Sequence, residues 1–117
     1  MNEEWLSYAT ANESTIRLHR YAKKLGYDIH YSKYKSNSSM NPKSKIILIG
    51  LKTDNNLIYT LAHEIGHHYA FPNSKKLMVL KEHLAWIAAL FICIRNRIPV
   101  GLEFYKLARK CLSTYYK

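Results

Sequence analysis

Leu57-Ile58-Tyr59-Thr60-Leu61-Ala62-His63-Glu64-Ile65-Gly66-His67-His68 is the stretch from which the rest of the chain can be read. The apolar approach, Leu57 to Ala62, predicts a buried helix, running from about Asn56 to Tyr69. On that helix His63 and His67 are four residues apart and project from one face on successive turns. Two imidazoles so placed can reach one metal ion at Zn–N distances of ~2.0–2.1 Å. Glu64 follows the first histidine, which swings its carboxylate to the side of the metal. There it can hold a zinc-bound water, take its proton as general base and pass it to a leaving amine. Gly66 removes side-chain bulk between the two histidines, where a strand is expected to pass close. An interior helical glycine costs ~1 kcal/mol against alanine, so a packing reason for it is implied.

A catalytic zinc normally takes three protein ligands and keeps one position open. The extended metzincin pattern would put a glycine at position 70 and a third histidine at position 73. The chain has Ala70 and Asn73 there, so that class is excluded. Downstream, Glu82 and His83 are the candidates. On a helix over about Leu77 to Asn96, Glu82 shares a face with Ala85 and Ala89, whose small side chains would let the metal helix approach. The larger stripe Leu80, Leu84, Ile87, Ala88 and Phe91 faces elsewhere, with His83 nearer to it. This favours Glu82 as third ligand over His83.

His63-Glu64-Ile65-Gly66-His67 followed by Glu82-His83-Leu84-Ala85 resembles the His-Glu-x-Gly-His … Glu-x-x-Ala pattern of the ImmA/IrrE metallopeptidases, small gluzincins often encoded by phages and mobile elements. The resemblance covers about Ile46 to Pro99. It implies a motif helix, a following helix that donates the glutamate and a small sheet beside them. It implies zinc on His63, His67 and Glu82, with Glu64 as base. Members are known for cleaving transcriptional repressors, which implies a repressor-like protein substrate. The chain departs from the pattern at Trp86, where many members carry Asn or Asp, and in how little sequence follows the glutamate helix.

Outward from the motif, the segment from about Trp5 to Leu25 has helical spacing, with Gly26 as a stop. Tyr27 to Tyr31 alternates and reads as a strand, and Lys45 to Leu51 as a buried strand. Ser36 to Pro42 reads as a mobile loop and Thr53 to Asn56 as a turn. Pro72-Asn73-Ser74 ends the motif helix. A last helix, about Leu102 to Tyr115, has Phe104, Leu107, Ala108, Cys111 and Leu112 on one face. The order is therefore helix, two strands and three helices. The expected fold is α+β, a small zincin-like (minimal gluzincin) domain over residues 1–117.

Of 117 residues, 18 are Lys or Arg and 8 are Asp or Glu, a formal net charge of +10. Such a balance attracts acidic partners, and nucleic acid ranks behind protein because no nucleic-acid-binding signature accompanies the charge. Cys93 and Cys111 form no C-x-x-C pair and read as unbridged. Met1-Asn2-Glu3-Glu4 has no signal-peptide character. The longest apolar run, Leu84 to Ile94, is too short for a bilayer of ~30 Å. A cytoplasmic protein without a membrane partner is expected. His68 is expected to point away from His63, and His19 and His30 to be structural. Tyr59, Tyr69 and Tyr105 are candidates to polarise a substrate carbonyl. The sequence reading is thus a zinc metallopeptidase acting on a specific protein. Its alternative is a zinc-containing, non-enzymatic phage or mobile-element regulator that binds an acidic protein or nucleic acid through its basic surface.

Overall fold

A computed structural model describes residues 13–51, 57–70 and 78–114, and in it the chain is α+β. In chain order the described elements are α1 (Glu13–Lys24), β1 (Asp28–Ser32), β2 (Ser39–Asn41), β3 (Ile46–Gly50), α2 (Leu57–Gly66), a 3-10 turn (His67–Tyr69), α3 (Met78–Arg95) and α4 (Leu102–Ser113). The expectations for residues 1–12, 52–56, 71–77 and 115–117, including the Thr53–Asn56 turn and Pro72, lie outside the described residues.

Helix α1 buries Thr15, Leu18 and Ala22 at spacings of three and four, and its last turn carries Lys23 and Lys24, which suit the negative end of the helix dipole. It stops at Gly26, whose φ of +91° is costly for any residue with a Cβ. The chain then turns directly into β1.

The sheet has three strands in the order β1-β3-β2. β1 and β3 are parallel, with Ile29 opposite Ile47 and Tyr31 opposite Ile49, so all four pack side by side in the core. β2 corrects the sequence reading of Ser36–Pro42 as a loop. Ser39, Met40 and Asn41 pair antiparallel with Leu48, Ile47 and Ile46. The hairpin closes because Asn41 Oδ1 accepts the backbone N–H groups of Lys43 and Ser44, and Lys45 takes a left-handed φ of 59°. Ser-, Asn- and Pro-rich strands look like loops because the pairing partner, not the propensity, makes the strand.

Helix α2 is buried nearly all round, through Tyr59, Leu61, Ala62, Glu64, Ile65 and Gly66. It lies among α1, β3 and α3, with its closest packing against α3. The Gly66 expectation is corrected in its partner. A helix, not a strand, passes close: a Cβ at Gly66 would run into the Ala85 carbonyl oxygen and stand 3.2 Å from the Ala89 amide nitrogen. Ala85 and Ala89, both wholly buried, supply the matching small surface on α3. Helix α4 is attached mainly through Phe104, its one buried residue among those described. No helix among the described residues is long and apolar enough to cross a membrane.

Candidate metal site

The close approach of α2 and α3 brings side chains from the two helices together at the mouth of a cleft of about 710 Å³. From α2 come His63 and Glu64, from the 3-10 turn that continues it His67, and from α3 Glu82, Trp86 and Lys81. His63 Nε2 lies 2.9 Å from Glu82 Oε2, and His67 Nε2 lies 3.2 Å from Glu82 Oε1. The two imidazole rings tilt toward each other with centroids 4.7 Å apart. One ligand atom from each of the three residues lies within 4.8 Å of the others. Two ligands at ~2.0–2.1 Å from a tetrahedral zinc stand about 3.3 Å apart, so only a small outward shift would let one ion replace the direct contacts. A His/His/Glu donor set fits a metal ion; His83, the alternative to Glu82, is not part of this cluster.

The charges in the cluster are strongly coupled. Burial works to raise the pKa of Glu82, but hydrogen bonds from His63 and His67 outweigh it and hold this carboxyl far below the usual range. For His67 burial works downward, and the Glu82 hydrogen bond with the charges of Glu64 and Glu82 more than offsets it, so its pKa is raised. Glu64 behaves oppositely to Glu82. It is almost fully buried, and desolvation pushes its pKa up despite the neighbouring histidines. Its Oε1 stands 3.6 Å from His63 Nδ1, outside hydrogen-bond range.

The cleft has further walls that the motif does not announce. Ser36 to Met40 and Pro42, on and around edge strand β2, form one side, and Leu107 and Cys111 of α4 another. Thr60 lies one turn before His67's neighbour Glu64 on α2 and also lines it. The signal for Thr60 was available, since it precedes Glu64 by four residues. The β2 side was hidden by its loop-like composition.

Other expectations are resolved by geometry. None of Tyr59, Tyr69 and Tyr105 lines the cleft, which corrects their candidacy for polarising a carbonyl. The Tyr59 hydroxyl donates to the Pro99 carbonyl at 2.9 Å, and Tyr69 shares a 2.6 Å hydrogen bond with Tyr21. Their positions follow from core and surface packing instead. His68 turns away as expected, its Nδ1 hydrogen-bonded to the Tyr27 hydroxyl at 2.9 Å. His19 pairs with the Tyr31 hydroxyl at 2.7 Å and is structural, while His30 is exposed. Cys93 and Cys111 are free thiols, and burial pushes the Cys93 thiol up to about 11.

Trp86, in sequence a departure from the family pattern, stacks on the first histidine: its ring lies parallel to that of His63, with centroids 4.2 Å apart and planes 9° apart. Comparison with family models, with curated proteins and with solved structures finds no match to this chain, so the site has to be read from its own chemistry.

Proposed function

We propose that this chain is a small zinc-dependent metallopeptidase of the gluzincin type, with a minimal zincin-like fold, that hydrolyses a peptide bond in a specific protein. The observation that carries the reading is the convergence of His63 and His67 Nε2 on the two oxygens of Glu82, with a buried carboxylate, Glu64, beside them. A purely structural site closes its metal with four ligands, usually including cysteine. Here the candidate ligands among the described residues number three, with no cysteine among them, and all three line the cleft.

When bound, zinc would supply a Lewis acid that polarises the scissile carbonyl and makes water more acidic. Glu64 holds the attacking water, accepts its proton and delivers that proton to the departing amine nitrogen. His63, His67 and Glu82 fix the ligand geometry from two helices that cannot slide, because Gly66 locks against Ala85. β2 lies at the edge of the described sheet and its Ser39 and Met40 line the cleft, so an extended substrate segment could be taken up beside it as a further strand. A repressor-like substrate follows from the ImmA/IrrE resemblance alone and belongs to the same proposal.

The test is metal content by elemental analysis of the full chain, as wild type, Glu64→Gln and Glu82→Ala, together with cleavage of a quenched fluorescent peptide library. About one zinc per chain in wild type and Glu64→Gln, loss of zinc in Glu82→Ala, and cleavage abolished in Glu64→Gln are expected. Wild type that takes up no zinc after reconstitution overturns the reading. The net charge of +10 favours a second reading, a zinc-containing regulator that binds an acidic protein or nucleic acid. Zinc uptake without Glu64-dependent cleavage of any probe is its signature.

A further inference from the structure

A histidine bound to a metal through one ring nitrogen is normally steered through the other, which donates to a carboxylate, a backbone carbonyl or a water. His63 has no such partner among the described residues. Its Nε2 faces Glu82, and the carboxylate nearest its Nδ1 is Glu64 Oε1 at 3.6 Å, a group with a different task. What does contact the ring is the indole of Trp86, stacked at 4.2 Å and within 9° of parallel. A tilt of the imidazole about its Cβ–Cγ bond would drive it into the indole, so the stack restrains one of the two torsions that set the direction of Nε2.

The indole is itself held by packing. Trp86 is 4% exposed, and its Nε1 is buried without a hydrogen-bond partner among the described residues. A buried N–H left unmade is costly, which sets this residue apart from an ordinary core tryptophan. Phe104 of α4 meets it edge-on at 5.6 Å and 79°, and Tyr59 of α2 meets Phe104 edge-on at 5.2 Å and 88°. The Tyr59 hydroxyl is tied to the Pro99 carbonyl just before α4. The rings therefore form a closed circuit from α2 through α4 and α3 back to His63.

We infer that Trp86 is the positioning residue of the metal site, orienting His63 by face-to-face stacking in place of a hydrogen-bonded carboxylate, and that α4 supports it through Phe104. This rests on the zinc reading above, and the experiment separates the two. Zinc affinity of the full chain is measured by competition with a chromogenic chelator for wild type, Trp86→Phe, Trp86→Leu and Phe104→Leu, with folding of each checked by circular dichroism. Trp86→Leu is expected to lose about 10- to 100-fold in zinc affinity, Trp86→Phe to stay within about 3-fold, and Phe104→Leu to fall between them. A tryptophan that only fills the core would leave all three at the wild-type affinity, and that result overturns the inference while the metal reading stands. Wild type that binds no zinc overturns both.

A second measurement does not depend on Trp86→Leu folding. Trp86 is the sole tryptophan in a Trp5→Phe chain. Cobalt added to one equivalent should quench most of its fluorescence, and the same chain carrying Glu82→Ala should not respond at that concentration. Emission unchanged at saturating cobalt places the ion away from the stacked pair and also overturns the inference.

Discussion

On its inner face α3 carries Glu82, Ala85, Trp86, Ala89 and Cys93, all buried, whereas on its outer face Ile87, Phe91 and Ile94 are 51%, 64% and 59% exposed. The bulky apolar stripe, normally the side that seeks the core, is therefore the side facing outward. Where α2 crosses, the inside presents Ala85 and Ala89 beside Glu82, and its buried bulk is confined to Trp86 and Ile92. The difference shows what α2 demands of its neighbour: backbone-to-backbone approach at Gly66 and one carboxylate for two histidines. Burying large side chains there would push the helices apart and dissolve the site, even while satisfying the hydrophobic effect. The helix keeps small residues where Gly66 crosses it, and so keeps Glu82 within reach of both histidines.

The contrast can be broken most strongly through the metal. With zinc at 1,000 times its dissociation constant, binding should stabilise the wild type by about 4 kcal/mol, so a chelator should lower its melting temperature sharply. The same chelator should leave the melting temperature of Glu82→Ala unchanged. Next in size is Gly66→Ala. The added methyl meets the Ala85 carbonyl, a backbone group that can yield only if α3 moves, and about 3 kcal/mol of stability should be lost in urea denaturation.

Further along the inner face, Cys93→Ser places an unpaired hydroxyl in a wholly buried position and should cost about 1–3 kcal/mol. The same burial should make Cys93 resist alkylation at pH 8 in the folded chain, where Cys111, half-buried at the cleft, is modified first. At the small end, Phe91→Ser and Ile87→Ser on the outer face should each change stability by no more than about 0.5 kcal/mol. A loss of 2 kcal/mol or more for either would mean that this face is covered in solution, and would erase the distinction between the two sides.

The elements of the site were legible because its chemistry is local. His63, Glu64 and His67 lie within one helical turn and a half, and Glu82 could be picked out because Ala85 and Ala89 share its face. The α+β class and most element bounds followed from periodicity in the same way. What stayed hidden depends on partners distant in sequence. Ser39, Met40 and Asn41 become a strand only because Ile46 to Leu48 lie beside them. Trp86 reads only as a departure from the family pattern until the fold lays it on His63. The sequence cannot choose among the tyrosines for a related reason: a phenol's use is set by where its hydroxyl ends up, and Tyr59 donates to Pro99.

One contact has a bearing on how the chain comes together during synthesis. The Arg17 guanidinium donates to the carbonyls of Asn96 and Arg97 at 3.1 and 3.2 Å, caps the end of α3 and spans up to 80 residues of sequence. A ribosome adding about 5–20 residues per second needs about 4–16 s to supply that partner after Arg17 is made. Through that interval α1 has its charge-bearing side but not the helix end that it fastens. The first of the described helices to be translated is thus among the last to be latched, and the nascent chain has to keep it available until the glutamate helix has emerged.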